Sequence, residues 1–270
     1  MNDYYAALTP AERARHDTLR ANLASVEQRI AAACAAAGRP RDEVTLVVVT
    51  KTYPASDTRL LSALGVTDVA ENRDQDAAPK AAECKELPLI WHFVGQLQTN
   101  KVRSVLRYAD VVHSVDRLRL VDALSAEVQK TERPPLGCLI QVALENGANG
   151  ANGANGAGGA GGAGEGAAAG RSRGGALPGE VLELADALAA APGLSCDGVM
   201  AVAPLSGPDA GHPLRAFERL REVSALLRSA HPGATTVSAG MSGDLEEAIA
   251  AGATHVRVGS AVLGVRAPLG

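Results

Sequence analysis

Lys51 is the first residue whose type and setting suggest chemistry. It follows the apolar and β-branched run Leu46-Val47-Val48-Val49-Thr50, and Thr52 and Pro54 come directly after it. A lysine whose stem lies in an apolar mouth loses its proton more easily. A neutral amine is a nucleophile toward aldehydes and forms a Schiff base with them. Taken alone, Lys51 reads more plainly as a strand-end lysine reaching into water. Support for the chemical reading comes much later in the chain, in Ser238-Ala239-Gly240-Met241-Ser242-Gly243 and in Arg257-Val258-Gly259-Ser260. Small residues there let backbone N–H groups approach a ligand, and a following helix N-terminus adds partial positive charge. Either segment alone is an ordinary Gly/Ser turn. An aldehyde ligand carrying a phosphate would use the amine and both loops.

These residues need elements to position them. Short β-branched runs fall at 44–50, 66–70, 90–94, 110–115, 136–143, 196–202, 235–238 and 255–258. Helical patterns lie between many of them, at 56–64, 96–108, 116–131, 179–190, 213–229 and 242–251. Alternation of this kind argues for a parallel sheet. Eight strands close a β/α barrel, whose functional loops follow the strands and whose phosphate sites favour strands seven and eight. The same alternation also permits an open doubly wound sheet. A long helix precedes the first strand over about residues 9–37. Thr9 is its cap, Pro10 its first residue and Glu12 the capping-box acid, with Leu19, Leu23, Val26 and Ile30 at helical spacing and Gly38 at its end.

Other polar residues sit near strand ends. Glu71-Asn72-Arg73 follows the second strand. His92 lies between Trp91 and Phe93 on the third, where it could point into the barrel, support Lys51, or be a satisfied core residue. His113-Ser114-Val115-Asp116 repeats the theme on the fourth, with Ser114 or Asp116 as the expected next helix cap. Residues 146–175 are Gly, Ala and Asn repeats that cannot bury a core, and read as a disordered surface loop between the fifth strand and the next helix. The rest of the 270 residues reads as one domain.

The net charge of −4 and the 3% aromatic content argue against nucleic acid as a partner. The four cysteines, Cys34, Cys84, Cys138 and Cys196, are scattered and form no CxxC pair, so no metal site is expected. The polar N-terminus lacks an apolar signal core, and no run approaches the roughly 18 apolar residues of a membrane span. A cytoplasmic protein is expected.

The segments LVVVTKTYP, AENRDQ, WHFVGQLQTNK, HSVDR, QVALE, GVMAVAP and SAGMSGDLEEAIAAGATHVRVGSAVLG resemble those of the YggS/PROSC family of pyridoxal 5′-phosphate homeostasis proteins. The resemblance spans nearly the whole chain outside 146–175. It implies a single (β/α)8 TIM barrel with an extra N-terminal helix, similar to the N-terminal domain of alanine racemase. It implies pyridoxal 5′-phosphate (PLP) held as a Schiff base on Lys51, with Arg257 facing the pyridine nitrogen. Ser238, Gly240, Met241, Ser242, Gly259 and Ser260 match the phosphate-side segments. Asn72 and His92 match polar positions lining the pocket.

The chain departs from the family pattern at Ala70, usually Gly, and at Ala143, usually Asn. Ala239 changes the usual SMGMS, and Glu145 and Arg173-Gly174 are split by the insert. The implied role is intracellular PLP homeostasis as a monomer, without substantial turnover, serving PLP-dependent apo-enzymes. A racemase would need a second acid/base residue from an added domain, and the chain has little length after strand eight. The rival reading is a PLP-dependent enzyme such as a weak amino-acid racemase. A Schiff-base aldolase would usually carry its lysine on a later strand.

Overall fold

The structure, a computed structural model, describes residues 3–145 and 174–264. Helix α1 (Asp3–Ala7) leads into the long α2 (Pro10–Ala36). Then follow β1 (Thr45–Val49), α3 (Ala55–Ala63), β2 (Asp68–Glu71), α4 (Asp74–Glu83), β3 (Ile90–Phe93), α5 (Val102–Val105), β4 (Val111–Val115) and α6 (Leu118–Val128). The second half holds β5 (Leu136–Gln141), α7 (Val181–Ala190), β6 (Leu194–Met200), α8 (Pro213–Ala230), β7 (Thr236–Ser238), α9 (Leu245–Ala250), β8 (His255–Val258) and α10 (Ser260–Leu263). The eight parallel strands pair in chain order, and β8 closes onto β1 with Val47 opposite Arg257. The fold is a (β/α)8 barrel with an extra N-terminal helix, as the sequence pattern predicts. Among the described residues no helix is long and apolar enough to cross a membrane.

The sequence explains α2 directly. Glu12 N–H donates to Thr9 Oγ1 at 3.3 Å, and Thr9 N–H donates to Glu12 Oε2 at 2.8 Å, completing the capping box. Leu19, Leu23, Val26 and Ile30 pack against Val48, Val256, Val258 and Ile249. Residues paired across strands share a face. Val48, Val256 and Val258 therefore face the helices, while Val47, Asp68, His255 and Arg257 face the lumen. The apolar core lies between sheet and helices, and much of the lumen is polar.

Several elements differ from the sequence reading. The helix expected over 96–108 is a 3-10 turn, Thr99–Lys101, followed by the four-residue α5. Leu97 is buried and its carbonyl accepts from Arg117 Nη2 at 2.8 Å, which keeps 96–98 out of the helix. The helix expected from 242 starts at Leu245, since Asp244 Oδ1 is turned back onto Met241 N–H at 2.6 Å. Helix α6 starts after Arg117 with no side-chain cap, and the Ser114 hydroxyl is instead buried with no hydrogen bond. Helix α4 was not foreseen, because Pro79 lies inside it. The expected loop over 146–175 lies outside the described residues up to 173. Gly174 and Gly175 are ordered: Gly174 O accepts from Gln141 Nε2 at 3.1 Å, and Ala176 bridges to Val142.

Gly198 marks a barrel irregularity, where the β5–β6 register slips between Cys138 and Leu139. Its φ is +149°, and a Cβ there would lie 1.9 Å from Thr236 O on β7. Backbone strain and a backbone clash coincide at one residue. Gly198→Ala is therefore expected to lower unfolding stability by roughly 3 kcal/mol or more, read as the urea midpoint of purified protein.

Candidate functional site

The site begins at the C-terminal rim of β1. The alternation that turns Val47 and Val49 inward also turns Lys51 inward, just past the strand end. Continuing the register Val49↔Ala70 sets Lys51 level with Asn72. Lys51 is exposed and makes no hydrogen bond or ion pair among the described residues. The backbone before it is tightly held. Thr50 O accepts from Lys80 Nζ at 2.8 Å, and Glu71 accepts both Thr50 Oγ1, at 2.7 Å, and the Lys80 ammonium. Glu71 and Lys80 are buried, so this ion pair locks the chain from the helix side. The residue after Lys51, Thr52, has φ +69°, a left-handed conformation rarely taken by a β-branched residue.

The ends of β7 and β8 form the adjoining part of the rim. Gly240 has φ +88°, and a Cβ there would meet Ala248 Cβ at 2.6 Å. Ser260 Oγ and Ser242 Oγ are 3.2 Å apart, and Ala261 N–H points at Ser242 Oγ at 3.4 Å. A Cβ on Gly259 would lie 3.2 Å from Val49 O, so this cradle borders the Lys51 strand. Met241 is exposed at the rim, with its N–H taken by Asp244. Half-buried Asn72 backs onto β3, where a Cβ on Gly95 would lie 2.0 Å from Asn72 O.

Below the rim, side chains from five strands are joined across the lumen. Arg257 Nη1 donates to Ser238 Oγ at 2.6 Å, and Arg257 Nη2 donates to Ala201 O at 2.9 Å. Ser238 Oγ lies 3.1 Å from His113 Nδ1, His113 Nε2 lies 2.8 Å from His92 Nδ1, and His92 Nε2 lies 2.9 Å from Asp68 Oδ1. Arginine only donates and carboxylate only accepts. One direction satisfies both ends: Ser238 O–H donates to His113, His113 to His92, and His92 to Asp68. Arg257 is buried and has no ion pair among the described residues. Asp244 acts on its charge through space, and Asp68 is joined to it only through this relay.

The titration shifts follow from this enclosure. Burial brings Arg257 down to about 10, still a cation at neutral pH. Burial, then the neighbouring His92 and Arg257, pushes His113 well below the ordinary imidazole range. Burial and His92 bring His255 to about 4. Burial works to raise Asp68, but hydrogen bonds from His92 and Thr67 outweigh it and hold the carboxyl below its usual value.

The sequence-predicted residues thus divide into three groups. Gly240, Met241, Ser242, Gly259 and Ser260 share one rim with Lys51 and Asn72. Arg257 and Ser238 lie beneath it, and the Ser238 hydroxyl is spent inside the barrel. Both ring nitrogens of His92 are committed to Asp68 and His113, so it is a satisfied interior residue. Sequence reasoning gave no role to Asp68 or Lys80, and named Glu71 only as a polar residue at a strand end. For Asp68 a signal existed: with His92, His113 and Arg257 it belongs to a set of polar residues inside otherwise apolar strand runs.

The amine beside a Gly/Ser cradle, with a buried arginine between, defines a barrel of the kind that holds a small phosphorylated ligand. A family profile described as alanine racemase, N-terminal domain, matches residues 167–267. The pyridoxal phosphate homeostasis protein of Pseudomonas aeruginosa is 40% identical over 92% of this chain and 96% of its own length. That of Escherichia coli K12 is 36% identical over 91% of this chain and 95% of its own. Among solved structures, PipY of Synechococcus elongatus with PLP bound superposes with a TM-score of 0.70 at 28% identity, covering 91% of this chain and 100% of PipY. The chain belongs to the pyridoxal phosphate homeostasis protein family.

Two outcomes test the site's electrostatics. Lys80→Met leaves Glu71 buried without its cation and is expected to cost about 3–5 kcal/mol in urea unfolding. The double variant Glu71→Leu/Lys80→Met should recover most of that loss. Separately, His113 and His255 are neutral when folded but take a proton near pH 6.5 when unfolded. Their contribution is full above 6.5 and is lost as pH falls; for His255 the loss is complete near 4. The urea midpoint should therefore drop from pH 7 to pH 4.5, and His255→Gln should drop less steeply.

Proposed function

We propose that this protein holds pyridoxal 5′-phosphate at the barrel mouth and takes part in intracellular PLP homeostasis. The residues present fit that cofactor. The Lys51 amine is exposed and faces the lumen side, so it can condense with the aldehyde to a Schiff base, releasing one water. Gly240, Ser242, Gly259 and Ser260 offer the close backbone approach and hydroxyls that a phosphate needs. Met241 belongs to the cradle segment, and Asn72 stands on the other side of Lys51, at the end of β2.

The observation that carries the reading is Arg257. A buried guanidinium with only neutral hydrogen-bond partners is costly to maintain for structure alone. Beneath a PLP ring it supplies a donor to the pyridine nitrogen. When bound, the cofactor's ring acts as an electron sink, and a facing arginine that stays charged keeps the ring nitrogen unprotonated and weakens that sink. Holding rather than turnover follows, with cytoplasmic PLP-dependent apo-enzymes as recipients and the protein acting as a monomer.

The second reading, a weak amino-acid racemase, draws on the match to the alanine racemase N-terminal domain. Purified protein given PLP is expected to show visible absorbance from the bound cofactor. Borohydride followed by peptide mass mapping should place the label on Lys51, and Lys51→Ala should show neither. Label on another lysine would sink the Lys51 assignment. Steady racemisation of L-alanine by the loaded protein would overturn the holding role in favour of the enzyme.

A further inference from the structure

Helix α2 lies outside the eight-fold repeat, and its apolar stripe explains why it docks. A second stripe is not needed for that. Arg15, Asn22 and Arg29 recur at every seventh position, which places them along one side of the helix. Arg29 Nη2 donates to Ser242 O at 3.0 Å, while its fork grips Glu246 at 2.7 and 2.9 Å. Asn22 Nδ2 donates to Val262 O at 2.9 Å. Arg15 Nη2 donates to Leu263 O at 3.0 Å and pairs with Asp57 on α3 at 2.7 Å.

Each backbone carbonyl in this set belongs to one of two segments, the β7 loop at Ser242 or the end of α10. Those segments carry the hydroxyls of Ser242 and Ser260, which meet at 3.2 Å. Helix α10 is a single turn, too short to satisfy its own last carbonyls. The donors of α2 satisfy them instead, and so fix where Ser260 stands relative to Ser242. Arg15 also reaches the Lys51 side. It lies 5.7 Å over the Tyr53 ring, and Tyr53 O–H donates to Gly264 O at 2.7 Å.

We infer that Arg29 and Asn22 are positioning residues for the ligand's phosphate, making α2 a working part of the binding site. This rests on the PLP reading above. Neither residue need touch the cofactor. Each acts by holding one wall of the cradle, so its loss should weaken phosphate-bearing ligands selectively.

The test compares PLP with pyridoxal, which has the aldehyde and lacks the phosphate. Dissociation constants are measured by absorbance titration for the full-length wild type, Arg29→Gln, Asn22→Leu and Glu27→Gln. Glu27, also on α2, pairs with Arg41 in the turn beyond the helix and makes no contact with the cradle, so its variant controls for a loosened α2. Arg29→Gln is expected to weaken PLP about tenfold, as for loss of a charge-assisted hydrogen bond, with pyridoxal and the Glu27→Gln control unchanged within about twofold. Equal weakening of both ligands, or unchanged PLP binding, would overturn the inference. Should Arg29→Gln fail to fold, Asn22→Leu decides by the same criterion. Wild type that binds PLP no better than pyridoxal defeats the cofactor reading itself, and the inference with it.

Discussion

A positive charge sealed inside the barrel sets the terms for everything around it. Arg257 is buried, and its hydrogen-bond partners are a serine hydroxyl and a backbone carbonyl. A cation in that position is tolerated only when every surrounding dipole is oriented for it. The orientation is supplied by Ser238, His113 and His92, which link Arg257 to the Asp68 carboxylate, while Asp244 acts on the cation through space. Each member comes from a different strand: β8, β7, β4, β3 and β2. A register error on any of them turns its member outward. The relay therefore couples the placement of Arg257 to closure of the barrel.

The amine end is held by a different device. Lys80 and Glu71 are a direct buried ion pair, and they act on the helix side of the sheet. Their contact with Thr50 fixes the backbone one residue before Lys51, and the left-handed Thr52 fixes it one residue after. Lys51 itself makes no hydrogen bond or ion pair among the described residues. The rigidity sits in its neighbours, with Thr50 held by Lys80 and Glu71 and Thr52 in a left-handed conformation.

Much of this was legible in the sequence, for identifiable reasons. Eight β-branched runs and the Gly/Ser segments after the last two are local patterns, and they located the barrel and the phosphate-competent rim. The capping box at Thr9 is likewise spelled out within four residues. The pairing of Glu71 with Lys80 was not legible, because Pro79 disguised the helix that carries Lys80. Asp68 showed only as an acid inside an apolar strand run, with no sign of its partner. The partners of His92 lie 24 and 21 positions away in sequence, and only strand pairing brings them together. Ser238 matches the family's phosphate-side segments, and strand alternation turns its hydroxyl inward to Arg257 and His113, so the chain changes direction between Ser238 and Gly240.

That change of direction explains why residues 238–242 are built as they are. At Ser238 the segment is tied from within the lumen, through Arg257 and His113. At Ser242 it is tied from outside the barrel, through Arg29, with Glu246 holding the guanidinium in place. Between the two anchors the backbone must reverse from an inward-facing strand to an outward-facing loop within a few residues. Gly240 does this with φ +88°, pressed so close to α9 that a methyl group would collide with Ala248. A loop anchored on both sides, with glycine at its bend, has little freedom left to lose when a phosphate arrives. Binding to a pre-formed cradle of this kind avoids the ordering cost that a mobile loop would incur. Under the proposed PLP-holding role, the wall offered to the phosphate is fixed before the ligand comes, and the Lys51 amine offered to the aldehyde is the part left free to move.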